Sequence, residues 1–368
     1  MIEVSIPILG QLEKKYVSEA LESNQLTQGF FIEEFEKKLG ALTDSKYVIS
    51  VSSGTAALHL IYLALGMKNS SKVLIPTCTF AATAFAVQYI GSEIHFVDID
   101  QSTLNIDLNL LEDYLQKSNI KFDYLIAVDL FGNPNNFSEI INICERYGIT
   151  LILDGSESLG ARFDSKPVNK YSAATAISFN GNKIITTGGG GAVLTDIESV
   201  ADFVRHTSKQ ARLNYEWYEH DQTGYNYRLS NIAAAIGLGQ IENFSNILEK
   251  RKEIYNSYLK LFSENQRDFL IKPITNGESN HWLNVFTLID LYDTKKGLQD
   301  YLLSKEIRTR SVWKPLHLQR VFKNSHSALN GNAEKIFFTS ICLPSSYNLK
   351  SIEIEFVANH INKYLNNA

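Results

Sequence analysis

Lys183 stands in the segment Ile177-Ser178-Phe179-Asn180-Gly181-Asn182-Lys183-Ile184-Ile185-Thr186-Thr187, and four glycines, Gly188 to Gly191, follow it. A short apolar run ends in a serine, a tight turn carries one lysine, and a stretch of backbone without side chains comes next. Such an arrangement holds an amine still beside a flat, phosphorylated ligand. Earlier in the chain, Leu151-Ile152-Leu153 ends in Asp154. That is the carboxyl end of an apolar strand, where open α/β sheets place their ligands. A lysine that forms a Schiff base and an acid that pairs with a pyridine nitrogen are the two groups required by pyridoxal 5'-phosphate. The acid keeps that nitrogen protonated, so the ring can accept electrons.

Other motifs acquire meaning only beside these two. Ser52-Ser53-Gly54-Thr55-Ala56-Ala57-Leu58 follows a strand and opens a helix. Free N–H groups at a helix start, with hydroxyls nearby, bind phosphate; alone, the segment reads as a plain serine cap. Asp154 has a competing structural role as a helix cap, with Glu157 closing a capping box. The Gly188–Gly191 run is a poor dinucleotide loop, because it follows a lysine turn rather than a first strand. Pro76-Thr77-Cys78-Thr79-Phe80 follows a strand; Phe80 could cover a flat ring, although a core phenylalanine is the commoner case. Gly224-Tyr225-Asn226-Tyr227-Arg228-Leu229-Ser230-Asn231 reads as a loop ending in an N-cap, Ser230 or Asn231. His317, in Trp313-Lys314-Pro315-Leu316-His317, has no metal partner near it in sequence; its stretch could reach a substrate.

The elements that position these residues follow from hydrophobic patterning. Seven runs read as strands: Tyr47 to Val51, Val73 to Ile75, Ile94 to Val97, Tyr124 to Val128, Thr150 to Leu153, Ala174 to Phe179 and Ala192 to Thr195. Several are apolar throughout, as for strands covered on both faces. Helical stretches such as Ala56 to Leu65, Leu108 to Gln116 and Ser138 to Tyr147 intervene. This alternation implies an α/β fold with a mostly parallel seven-stranded sheet and helices on both faces. A long helix, Ile232 to Tyr258, bridges to a smaller C-terminal α/β unit with a strand at Trp282 to Ile289 and a closing helix near Ile352 to Tyr364. The expected division is a large cofactor-binding domain at 1–245 and a small domain at 246–368.

Composition narrows the classes. The chain has 368 residues, 44% hydrophobic and 20% charged, which suits about two domains with a large core. A net charge of -5 argues against nucleic acid or an anionic membrane as the main partner. No apolar run reaches the about 18 residues that span a bilayer, and no signal peptide is visible. Cys78, Cys144 and Cys342 show no CxxC spacing. They read as reduced thiols of a cytoplasmic protein, and no metal site is expected.

In order along nearly the whole chain, these motifs resemble the sugar aminotransferases of the DegT/DnrJ/EryC1/StrS family. The match runs from Thr27-Gln28-Gly29 through Ser53 to Leu58, Asp154, the lysine loop and Gly224 to Arg228, ending at Trp313 to His317. The resemblance implies a fold type I pyridoxal-phosphate enzyme, a homodimer with sites shared across the interface. It implies that Lys183 is the Schiff-base lysine and Asp154 the partner of the pyridine nitrogen. Gly54, Thr55 and Ser178 would hold the phosphate, Phe80 would stack on the ring, and Asn226 would reach the neighbouring subunit's phosphate. Three positions depart from the commonest pattern. Glu157 stands where many members have glutamine near the ring hydroxyl, Gly189 where many have glutamate, and Asp129 where histidine is frequent.

By the same resemblance, L-glutamate donates an amino group that ends on C4 of a nucleotide-linked 4-keto-6-deoxy sugar. The loop Asn180 to Gly191 looks closest to the branch acting on UDP-2-acetamido-2,6-dideoxy-4-keto-hexoses, which serves bacillosamine and legionaminic acid pathways. GDP-perosamine synthases share a similar Gly-Asn-Lys turn and form the alternative. Deoxygenating relatives carry histidine in place of the lysine, so Lys183 argues against them. Lys183 and Asp154 also argue against a non-catalytic nucleotide-sugar binder.

Overall fold

A computed structural model describes residues 1–262, 270–288 and 294–366. Two helices, α1 (Gln11–Glu22) and α2 (Phe30–Thr43), precede the first strand. Then β1 (Tyr47–Val51), α3 (Gly54–Ala64), β2 (Lys72–Pro76), α4 (Ala82–Ile90), β3 (Glu93–Val97), α5 (Leu108–Lys117), β4 (Tyr124–Val128), α6 (Phe137–Tyr147) and β5 (Thr150–Asp154) alternate. A small hairpin, β6 (Arg162–Phe163) and β7 (Lys166–Pro167), leads to β8 (Thr175–Ser178) and β9 (Gly191–Thr195), which bracket the lysine loop. Local chemistry sets the helix ends. Asp107 and Asn136 accept amide hydrogen bonds at the starts of α5 and α6, and Gly148 ends α6 at a φ of 65° that favours glycine.

The main sheet has eight strands in the order β1-β9-β8-β5-β4-β2-β3-β13, where β13 is His326–Ala328. Every pairing is parallel except those of β9, which runs antiparallel to both β1 and β8. All five residues of β4 are buried, as its apolar run requires. The count of seven strands is therefore corrected to eight. The added strand is short, polar and mostly exposed at the sheet edge, so it carries no hydrophobic signal.

The long helix expected over Ile232 to Tyr258 is two helices. α7 (Glu198–Thr207) comes first, then α8 (Asn231–Glu242) and α9 (Phe244–Leu261), with the break at Asn243. Gly237 and Gly239 let α8 lie close on α2 and α1: a Cβ at Gly237 would sit 2.5 Å from the Phe35 ring, and one at Gly239 2.9 Å from Glu13. Further on come β10 (Gly277–Glu278), β11 (Asn284–Thr287), α10 (Thr294–Ser304), β12 (Arg310–Ser311), β13, α11 (Asn332–Thr339), β14 (Ser340–Leu343) and α12 (Ser351–Leu365). β11 is shorter than the expected Trp282 to Ile289 strand, whose last residue lies outside the described residues. β11, β14 and β12 form a separate sheet, with an apolar cluster around Tyr258, Phe262, Phe286, Leu298 and Val357. The 245/246 division falls in the first turn of α9.

Candidate active site

A cavity of about 310 Å³ opens at the carboxyl ends of β4, β5 and β8. Its lining includes Lys183, Asp154, Glu157, Gly54, Thr55, Ser178 and Phe80. Residues from four separate stretches of sequence thus meet where the parallel strands end.

Asp154 closes β5 and is 5% exposed. Its Oδ2 accepts a hydrogen bond of 2.7 Å from Thr83 Oγ1, and its Oδ1 one of 3.1 Å from the Ser156 amide. Thr83 lies on α4 and is itself 2.9 Å from Thr79 Oγ1. No helix follows Asp154, so neither a helix cap nor a capping box forms there. Glu157 turns instead toward the lysine. Lys183 Nζ donates to Glu157 Oε1 at 3.3 Å, and Glu157 Oε2 accepts from the Phe131 amide at 2.7 Å. Both ends of the pair are largely buried. Burial pushes the Glu157 carboxyl above its usual range, while the Lys183 charge pulls it back.

The lysine also lies over the Trp282 ring, 4.1 Å from its centre. Trp282 is fully buried and its Nε1 donates to Asn182 O at 2.7 Å, which fixes the turn that carries Lys183. Trp313 also lines the cavity beside Phe80, edge-on at 5.5 Å, and its buried indole N–H has no hydrogen-bond partner among the described residues. Phe80 is 56% exposed, unlike a core phenylalanine.

The start of α3 forms the other wall. Ser53 caps it by accepting from the Ala56 amide at 3.0 Å. The amides of the first turn have no acceptor within the helix and point out of its end. A Cβ at Gly54 would sit 2.9 Å from Ser178 Cβ, and one at Gly191 would sit 2.5 Å from the Ser53 carbonyl carbon. Glycine at both positions lets β9, Ser178 and the helix end come together around one small anion-binding pocket.

Two expected site residues do not line the cavity. Asn226 is exposed and bridges Lys209 on the surface. His317 sits with Nδ1 2.7 Å from Thr77 Oγ1 and Nε2 3.2 Å from Glu334 Oε1, so it braces the loop that carries Phe80. Asp129 is buried next to this shell. Asn135 donates to its Oδ1 from both backbone and side chain, while Oδ2 lies toward Ser158 and makes no well-formed hydrogen bond among the described residues. Burial, the main cause, pushes its carboxyl up to about 6. Thr83 and Trp282 were not singled out as site residues by the sequence, and Trp313 was named only as the start of the stretch ending in His317. Lone tryptophans and a threonine inside an apolar helix have no local signature, and only the tertiary fold brings them here.

The donor set fits pyridoxal 5'-phosphate. A glycine-lined helix end with two hydroxyls suits a phosphate. A buried carboxylate at a strand end suits a protonated ring nitrogen, and one lysine faces both across an aromatic-walled slot. The profile of the DegT/DnrJ/EryC1/StrS aminotransferase family matches residues 7–362. The chain belongs to that family. Among relatives, a GDP-perosamine synthase of Escherichia coli O157:H7 is 32% identical and covers 99% of this chain and 98% of its own. A UDP-4-amino-4,6-dideoxy-N-acetyl-beta-L-altrosamine transaminase of Campylobacter jejuni is also 32% identical, over 97% of this chain and 96% of its own. In structure, Helicobacter pylori PseC, an aminotransferase involved in the biosynthesis of pseudoaminic acid, superposes with a TM-score of 0.93 at 25% identity over the full length of both chains. As a DegT-family member the protein is a pyridoxal-phosphate-dependent sugar aminotransferase. Among the described residues, no helix is long and apolar enough to cross a membrane.

Proposed function

We propose that the protein moves an amino group from L-glutamate to C4 of UDP-2-acetamido-2,6-dideoxy-4-keto-hexose. The observation that carries the transaminase chemistry is the buried Lys183, within one cavity of Asp154 and the α3 helix end. Lys183 would hold the cofactor through Nζ; Gly54, Thr55 and Ser178 would hold its phosphate, and Asp154 its ring nitrogen. Phe80 and the two tryptophans would flank the ring. Pyridoxal phosphate supplies an aldehyde that takes up amino groups and a ring that accepts electrons. Lys183 Nζ takes the proton from the donor's α-carbon and, in the second half-reaction, delivers one to C4 of the sugar. Asp154, hydrogen-bonded by Thr83 and Ser156, would be held in place to pair with the ring nitrogen. Glu157, 3.3 Å from Lys183 Nζ, would orient the amine and steady the charge it gains on taking up the proton. The walls of Trp282, Trp313 and Phe80 keep water from the proton in transit.

We further propose that the working unit is a homodimer in which Asn226 reaches the partner's phosphate, consistent with its exposed position outside its own cavity. His317 is proposed to meet the sugar substrate at the rim. The UDP reading is supported by the Asn180 to Gly191 loop. Relatives named for GDP-perosamine synthesis at the same identity support the GDP-4-keto-6-deoxymannose alternative. The deciding experiment supplies both keto sugars side by side with glutamate and reads oxoglutarate release. Faster turnover of the UDP sugar is expected; faster turnover of the GDP sugar would move the enzyme to the other branch.

A further inference from the structure

We propose that Glu93, His95 and His326 form a binding site for one divalent transition-metal ion of the zinc type, which ties the edge strand β13 to the main sheet. None of the three lines the Lys183 cavity. Glu93 and His95 are two apart on β3 and so project to the same face. β13 runs parallel to β3 with His326 in register with His95. The two imidazoles stack at 4.7 Å between centres and 13° between planes. Both Nε2 atoms turn to one oxygen: Glu93 Oε1 is 2.7 Å from His95 and 3.5 Å from His326. One ligand atom from each residue lies within 4.8 Å of the other two.

Two imidazoles and a carboxylate are a zinc ligand set. With metal–ligand bonds of about 2.0–2.1 Å, ligand atoms in a tetrahedral site stand about 3.3–3.4 Å apart. The 3.5 Å separation already meets that spacing, and the 2.7 Å one must open by about 0.6 Å. Glu93 is half-exposed and free to rotate by that much. The support of His95 suits ligation too. It is fully buried, and its Nδ1 lies 2.8 Å from Tyr114 Oη. A tyrosine hydroxyl both donates and accepts. With the imidazole proton on Nδ1, His95 donates to Tyr114 and presents the Nε2 lone pair to the metal. Lys72 Nζ, 2.5 Å from Glu93 Oε2, occupies the carboxylate's other oxygen and leaves Oε1 for the ion. Its charge opposes the metal and so lowers the affinity of the site, which the two imidazoles and Oε1 must offset. His326 is 62% exposed, so a water completes the fourth position.

The test titrates the loaded enzyme with zinc chloride against a chromophoric chelator, and repeats the titration with cobalt to read tetrahedral visible bands. One ion per chain is expected. His326→Ala and Glu93→Gln should each weaken binding at least about tenfold, while His220→Ala, another exposed histidine, should not. Zinc should raise the melting temperature of the wild type and not of His326→Ala, and turnover should stay unchanged in both variants. His326 is exposed on an edge strand, so its alanine variant should fold. Absence of stoichiometric zinc binding overturns the proposal, as does binding that survives His326→Ala undiminished.

Discussion

The Lys183–Glu157 pair makes a prediction that separates chemistry from stability. Lys183→Ala should abolish turnover, since no other group in the cavity can hold the cofactor and carry the proton. It should also change how stability depends on pH. Burial already raises the Glu157 carboxyl, and Lys183 is the main effect pulling it down. Without the lysine, it rises further. A raised carboxyl contributes stability that is present below the ordinary carboxylate range and lost as pH climbs through the raised value. Cofactor-free Lys183→Ala should therefore lose more melting temperature between about pH 5 and about pH 8 than the cofactor-free wild type. Adding Glu157→Gln should flatten the profile again. Equal slopes in all three proteins would show that the two side chains are not coupled. Asp129 obeys the same sign. Its carboxyl is pushed up to about 6, from an ordinary value of 3.8. Stability should fall as pH rises from about 4 to about 6, by at most about 3 kcal/mol. Asp129→Asn keeps an acceptor for Asn135 and turns an amide donor toward Ser158, whose Oγ makes no well-formed hydrogen bond among the described residues. It should remove that fall and raise the melting temperature at neutral pH; a lower melting temperature there would count against the assignment.

At the scale of elements, the site depends on how closely β9 approaches the turn between β1 and α3. Gly191 pairs with Val51 in register, and any Cβ on it would strike the Ser53 and Gly54 backbone. Gly191→Ala should push the α3 end outward at a cost of about 1–3 kcal/mol, and loss of cofactor on dialysis should accompany it. Gly40→Ala, on α2 away from the cavity and with nothing nearer than 3.4 Å, should leave cofactor retention unchanged. A Gly191→Ala protein that keeps its cofactor as well as Gly40→Ala does would show that the helix end does not form the phosphate site. The same elements explain what the sequence could disclose. Lys183, Asp154, Gly54 and Ser178 sit at strand ends or helix starts, where apolar runs stop abruptly, so their places could be read locally. Trp282 arrives from a distant segment with no period to mark it, and Trp313 stood out only as part of the Trp313 to His317 stretch. β13 is three polar or small residues at an edge, and the break at Asn243 interrupts an apolar pattern that continues on both sides. Each of these depends on a neighbour that only the folded chain supplies.

At the scale of the whole molecule, the place of Asn226 makes a prediction about assembly. Its side chain is exposed and outside the cavity of its own chain, so a role at the phosphate requires a second subunit. Asn226→Asp would set a carboxylate against the cofactor phosphate and weaken binding by like-charge repulsion. Lys183→Ala removes the covalent anchor. Each variant alone should be nearly inactive. When the two are refolded together, a two-fold dimer that shares its sites collects both defects in one site and neither in the other. Random mixing gives about half mixed dimers, each with one intact site, so about a quarter of wild-type activity should return. If Asn226 served the lysine of its own chain, every site would carry one defect and mixing would restore nothing. Sedimentation of the same mixture shows whether dimers form, so a failure of exchange across the interface is told apart from a failure to assemble.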